Sequence, residues 1–460
     1  MPPASVFAHA NGLGLPLSRG ALAYLGLAVV ALTTLALRVA WVAPRLATRT
    51  RGLLPSPGSM PARAGAAVAG LIGLVIDVTL VVVGLTGDPA AGANLTPWAV
   101  FFVFWLGVTM ASVFIGEAAT WWCPWLGAAR FADLVRARRG HEPGTGHDRA
   151  GSDAADARRG PHLPWLAPLA LWSLPALFLA TDGGNGPRQI GWWLLAHGVL
   201  FTAGGVAWGA DWLRDHEPLL ATSRAIGSLS PFGRDPAGRF GVRRPLDDGG
   251  GGVPAPVVLG VAAVLAGTAV FSRVQISRWW GQHAINQSLR VRDIAHLGGL
   301  AWFVGLIAAI WAAVSNAVYQ SPPDGSPAAS WSRRGVDDAP AFRLAWAALP
   351  VAVTLVTVRL LEQFVVQVQN VIILASDPFS KGWNLFGTYD WTFYPRPFSP
   401  TGRSTTQLAL ILIGFVASAV VAHDRMVADL GPVTARRRQP LVAAVLAAGC
   451  VASCIALLGP

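Results

Sequence analysis

Ten stretches of this chain are each long and apolar enough to cross a lipid bilayer, and no other feature limits its fold so strongly. They cover residues 20–44, 64–86, 97–119, 164–181, 189–210, 254–272, 297–319, 343–374, 405–422 and 440–457. A helix of about 20 residues, rising about 1.5 Å per residue, spans the hydrocarbon core. Inside that core every backbone N–H and C=O must be paired within the protein. Only 13% of the 460 residues are charged and 53% are hydrophobic, against roughly 25% charged in soluble domains. The expected fold is an all-α integral membrane protein: a polytopic bundle of about ten transmembrane helices forming one domain over residues 1–460. The stretch 343–374 exceeds the membrane thickness and is expected to tilt or protrude. No positive region of a secretory signal precedes the first run, which reads as a retained helix behind a short outer tail, 1–19.

The arginines set the expected orientation. Lys381 is the only lysine, so the net charge of +11 is almost wholly arginine. With the N-terminus outside, the inner loops are 45–63, 120–163, 211–253, 320–343 and 423–439, and they hold 24 of the 35 basic residues. Arginine is retained on the cytoplasmic side, so both termini are expected outside a multi-pass cell-membrane protein. The same placement argues against a nucleic-acid partner and for anionic lipid headgroups at the inner basic loops. "LGAARFADLVRARR", after the third run, reads as a basic amphipathic helix lying on those headgroups. The longest outer loops are then 273–296 and 376–404.

Within the spans, polar groups are expensive and mark function or internal clamps. The eighth run holds Arg359, Glu362, Gln363, Gln367 and Asn370, whose spacings of three and four place them along one helical face. Arg359 is expected to pair with Glu362, three positions on, with Asp77 in the second run as a second partner. His423-Asp424-Arg425 reads as a group that neutralises the end of the ninth helix. Gly205 and Gly209 read as a close-approach face on the fifth.

"SDPFSKGWNLFGTYDW", residues 376–391, has more stereochemically special residues than a plain connection needs. Pro378 can open a new short helix with Ser376 or Asp377 as its cap, and Gly382 can end it in a left-handed conformation. Asp377 and Lys381 lie four apart on that turn. Trp383, Leu385, Phe386 and Trp391 offer an apolar face for the membrane interface. The segment is expected to fold back as a lid over the outer end of the eighth helix.

"SDPFSKGWNLFGT" followed by "AHDR" at 422–425 resembles the signature of a bacterial polytopic membrane family labelled fenitrothion hydrolase. "AHANGLGLPLS" near the N-terminus, "WWCPWLGAARFADL" and "SPFGRDPAGRFGVRRPL" are similar to further segments of that family. The resemblance implies organophosphate-ester hydrolysis at an outward-facing site. Two histidine-bearing segments of the family pattern are here "TVRLLEQFV" and Gly414-Phe415-Val416.

No GxSxG, HExxH or HxH motif is present, and no cofactor motif is evident. His9, His197, His283 and His296 are the scattered candidates for a metal ion. Three roles stay open at this point: a transporter or permease using the polar stripe, a membrane hydrolase, and a structural subunit that binds neighbouring membrane proteins.

Overall fold

The computed structural model describes residues 18–46, 51–52, 60–138, 160–234, 239–246, 252–285, 288–320 and 339–458. Its helices are α1 (Arg19–Ala40), α2 (Met60–Thr86), α3 (Leu95–Ile115), α4 (Pro124–Arg138), α5 (Leu166–Ala180), α6 (Pro187–Trp208), α7 (Ala210–His216), α8 (Pro218–Gly227), α9 (Ala255–Val274), α10 (Leu289–Tyr319), α11 (Ala345–Ser376), α12 (Pro400–Leu430) and α13 (Pro432–Leu458). Among the described residues nine helices are long and apolar enough to cross a membrane, so the protein is an all-α membrane-embedded bundle. The fourth expected span, 164–181, is α5, which has only 15 residues. That is about 22 Å of helix, less than the roughly 30 Å core. It starts only at Leu166, after a turn at 164–165, and Thr181, then Asp182 and Gly183 at positive φ, end it.

Local chemistry starts and stops these helices. Ser18 and Ser399 cap α1 and α12 by accepting the N–H of Ala21 and Gly402, each at 3.1 Å. Pro occupies the first turn of α6, α8, α9 and α12, where its missing N–H costs nothing. The connection expected at 423–439 is largely helix. α12 continues to Leu430, Gly431 alone breaks the path at φ +76°, and α13 starts at Pro432. Charge density misleads there, because Arg436, Arg437 and Arg438 sit within α13. The expected inner loop 211–253 also holds two helices, α7 and α8, and α8 is buried in the bundle.

α11 lies at the centre, packed between α9 and α12, while α1 packs on α13 and α12. α11 and α12 approach closely at Gly414, where an added Cβ would stand 1.9 Å from Thr354 Oγ1. α2, α4 and α6 pack on one another. The Gly205 and Gly209 face does meet a neighbour: Cβ atoms there would lie 3.0 Å from Ala129 Cβ and 3.0 Å from Asp133 Oδ1, both on α4. Gly209 has a second role, ending α6 at φ +95°.

Contacts gather the described residues of the five arginine-rich connections at one end of the bundle. A small antiparallel sheet there joins β1 (Arg51–Gly52), β2 (Phe232–Arg234) and β3 (Phe240–Val242), in the order β1-β3-β2. Trp121 stacks edge-on to Phe240 at 5.4 Å, and Leu163 N donates to His216 Nε2 at 3.1 Å. Asp424 Oδ1 accepts from Trp41 Nε1 and Arg45 N, both at 2.6 Å, and Oδ2 accepts from Leu46 N at 3.2 Å. Arg438 donates to Gln320 O at 2.7 Å. The opposite end is tied by Arg292 to Asp182 at 2.9 Å and by Ser380 Oγ to Ala93 O at 3.0 Å.

Candidate functional site

Two cavities lie within the bundle. The first, of about 50 Å³, opens among α2, α3, α6 and the turns that lead into α4 and α8. Asp77 of α2, His197 of α6 and Glu217, the cap of α8, all line it. Gly73, one turn before Asp77, brings α2 against the turn at Trp122, whose carbonyl oxygen an added Cβ would meet at 1.9 Å. Glu217 is 2% exposed. Its Oε2 accepts the N–H of Leu220 at 2.6 Å, and its Oε1 lies 3.1 Å from His197 Nε2, which donates to it. His197 is stacked on Trp193 at 4.9 Å and packed on Phe201 at 4.7 Å. Cys123 is also on the wall. Burial, and next the charge of Glu217, hold its thiol well above the usual pKa, so it is not an activated thiolate.

The second cavity, of about 40 Å³, lies between α3, α5, α9, α10 and α11. Thr268 and Ser272 of α9, Gln275 at its C-terminal cap and Gln363 of α11 supply its polar groups. Trp105 lines both cavities. Its position follows from a π-helical stretch, Ala99–Gly107, inside α3. The wider turn of a π-helix shifts the facing of successive side chains, and such stretches are frequent at functional sites. Here it presents Val100 and Phe104 to one cavity, Phe101 and Phe102 to the other, and Trp105 to both. The buried Trp105 Nε1 and Thr268 Oγ1 have no hydrogen-bond partner among the described residues. A buried polar group left unmet costs about 1–3 kcal/mol. Each cavity has room for roughly three or four waters.

The polar stripe is assembled differently from its expected pairing. Arg359 Nε donates to Ser272 Oγ at 2.9 Å, on α9. Glu362, the expected partner of Arg359, is held by Arg403 of α12 at 3.0 Å. The in-helix order explains the correction: helical side chains lean toward the N-terminus, so Arg359 leans away from a carboxylate three residues C-terminal to it. Asp77 is not the second partner either, since it faces the first cavity with His197. Gln363 reaches the second cavity. Gln367 is buried and its Oε1 accepts from Asn370 Nδ2 at 2.5 Å. The group at 423–425 lies inside α12, not at its end. His423 Nε2 donates to Trp41 O at 3.0 Å, and with Asp424 it fastens the exit of α1.

The candidate metal histidines are not brought together. His283 stacks on Trp279 at 4.9 Å, and its Nδ1 donates to Trp279 O at 2.8 Å. His296 stacks on Trp280 at 6.1 Å, and His197 is committed to Glu217. His9 lies outside the described residues. Among the described residues no group of three or more His, Cys, Asp or Glu is placed to hold a metal ion.

The segment 376–391 does fold back on α11, by turns and not by the expected short helix. α11 runs on to Ser376, and Pro378 lies buried in a turn. Asp377, 2% exposed, accepts from Lys381 N at 2.8 Å and from Gly382 N at 2.7 Å, with Gly382 left-handed at φ +80°. Ser376 Oγ donates to Asn384 Oδ1 and accepts from Phe386 N, each at 3.0 Å. Thr388 Oγ1 reaches Ile372 O at 2.8 Å, and Gln369 makes two bonds to the backbone of Tyr394. Lys381, Trp383, Leu385, Phe386 and Trp391 stay exposed.

Glu217, Trp105, Gln369 and Arg403 carry more of these arrangements than the sequence suggested. Glu217-Pro218 is a helix-start signal, yet nothing in its spacing announces a cavity. Set against family models, curated proteins and solved structures, the chain matches none.

Proposed function

We propose that this protein is a permease or transporter that passes a small solute through its helical bundle, with the arginine-rich end in the cytoplasm and both termini outside. One observation carries the reading: two cavities share a single wall residue, Trp105, with Asp77, His197 and Glu217 lining one and Thr268, Ser272 and Gln363 lining the other. A packed structural subunit has no use for unmet polar groups beside a cavity. A solute path needs polar groups that its cargo and water can satisfy in turn. Anionic lipids at the basic end fit the same orientation.

Accessibility tests it. Thr268→Cys and Gln275→Cys are placed in a protein whose buried Cys123, Cys450 and Cys454 are replaced by alanine. Reaction with a small impermeant thiol reagent from one face of proteoliposomes is expected at both positions. Inert positions from both faces would sink the transport reading. Release of a phenol from an aryl phosphotriester by the purified protein would favour ester hydrolysis instead.

A further inference from the structure

The Asp77 cavity has a chemistry of its own, and its ligand class follows from three features. Its charge is the first. Asp77 and Glu217 are both carboxylates, and His197 is the one imidazole among the lining side chains. Both oxygens of Glu217 are occupied, by Leu220 N and by His197 Nε2. Asp77 makes no hydrogen bond or ion pair among the described residues, and the only nearby cationic side chain is the His197 imidazole, already bonded to Glu217.

The walls are the second feature. Phe104, Trp105, Trp122, Trp125 and Trp193 surround the same space. Indole faces attract cations most strongly among aromatic rings, more so where water is excluded, and cages of this kind recognise quaternary ammonium groups. The third feature is the small number of oxygen ligands. A bare inorganic cation needs about six or more oxygens, or its retained waters, around it. Here one free carboxylate stands among apolar rings, and no metal-holding group is present among the described residues. An organic cation suits this mixture, because its methyl or methylene groups carry the charge into contact with rings. The cavity volume of about 50 Å³ limits the head group to a few heavy atoms.

We propose that this cavity binds a small organic cation, a quaternary or protonated amine, with Asp77 as counter-charge and the surrounding indole rings as its cage. The inference rests on the transport reading for its physiological sense but not for its test. Choline is titrated calorimetrically into the full-length protein in nanodiscs, beside tetramethylammonium and the neutral choline isostere 3,3-dimethylbutanol. The cations are expected to bind at least about tenfold tighter than the isostere. Asp77→Asn should weaken choline binding by about tenfold or more, and Trp193→Leu by severalfold. Equal binding of choline and its isostere, no binding of either cation, or undiminished binding in Asp77→Asn would overturn the proposal. The isostere comparison uses the unmodified protein, so a variant that fails to fold does not rescue the idea. Choline binding with inert cysteines at 268 and 275 would keep the site and sink transport. Reactive cysteines without cation binding would sink the site alone.

Discussion

At 3.0 Å from Arg403 Nη1, the Glu362 carboxylate is engaged 41 positions along the chain, while Arg359 reaches across to Ser272. Groups in contact couple energetically and separated ones add. Glu362→Leu with Arg403→Leu is therefore expected to destabilise less than the sum of the single changes, by about 0.5 kcal/mol or more. Glu362→Leu with Arg359→Leu should lie closer to additive. A thermal-melt cycle in detergent decides, and stronger coupling to Arg359 would restore the in-helix pair. His216, outside the spans, gives a second prediction. Its Nδ1 donates to Trp212 O at 2.7 Å and its Nε2 accepts from Leu163 N, so the bonded form is neutral. Burial lowers its pKa below 6.5. The unfolded chain then binds more protons below that pH, so the contribution is complete above about 6.5 and is lost as pH falls through the folded value. Acidification should lower the melting temperature of the wild type more than that of His216→Gln, and equal slopes would contradict it. At this scale the sequence exposed Asp77 and His197, because a polar residue inside an apolar run stands out. It hid Glu217, whose neighbours are as polar as it is. It also hid Trp105, one of 20 tryptophans spread along the chain.

Element by element, the long helices were legible because bilayer thickness fixes their length and because caps such as Ser399-Pro400 leave a local mark. What hydropathy could not show is backbone geometry. The π-helical stretch Ala99–Gly107 is uniformly apolar, and nothing in its pattern distinguishes it from ordinary helix. Charge density marks 211–253 and 423–439 as loops, although α7 and α8 lie in the first and the second is mostly the end of α12 and the start of α13. The lid over α11 was legible through Pro378 and Gly382, but its construction was not. Asp377 holds two N–H groups from four and five residues ahead, a bracket and not a helix cap. Removing it should cost about 1–3 kcal/mol of local stability. Hydrogen exchange across 376–391 is expected to be slow in the wild type and selectively faster in Asp377→Ala, with the spans unchanged. Fast exchange in the wild type would show that the bracket does not hold.

At the scale of the molecule, the described parts of the five arginine-rich connections share one end, and the proposed orientation turns that end to the cytoplasm. Arg244→Cys should then be shielded from an impermeant thiol reagent in intact cells, and Thr392→Cys should react; both positions are exposed at the protein surface. The reverse pattern would invert the topology. The fastening of α1 bears on how the bundle is made. α1 is synthesised well before α12, and the N–H groups of Trp41, Arg45 and Leu46 find their acceptor on Asp424, 378 to 383 residues later. The helices that flank α1, α12 and α13, also arrive last. Among the described helices, the earliest made is thus among the last to be secured. Until α12 and α13 are made, α1 lacks the partners it has in the finished bundle, a wait that no local feature of its own sequence announces.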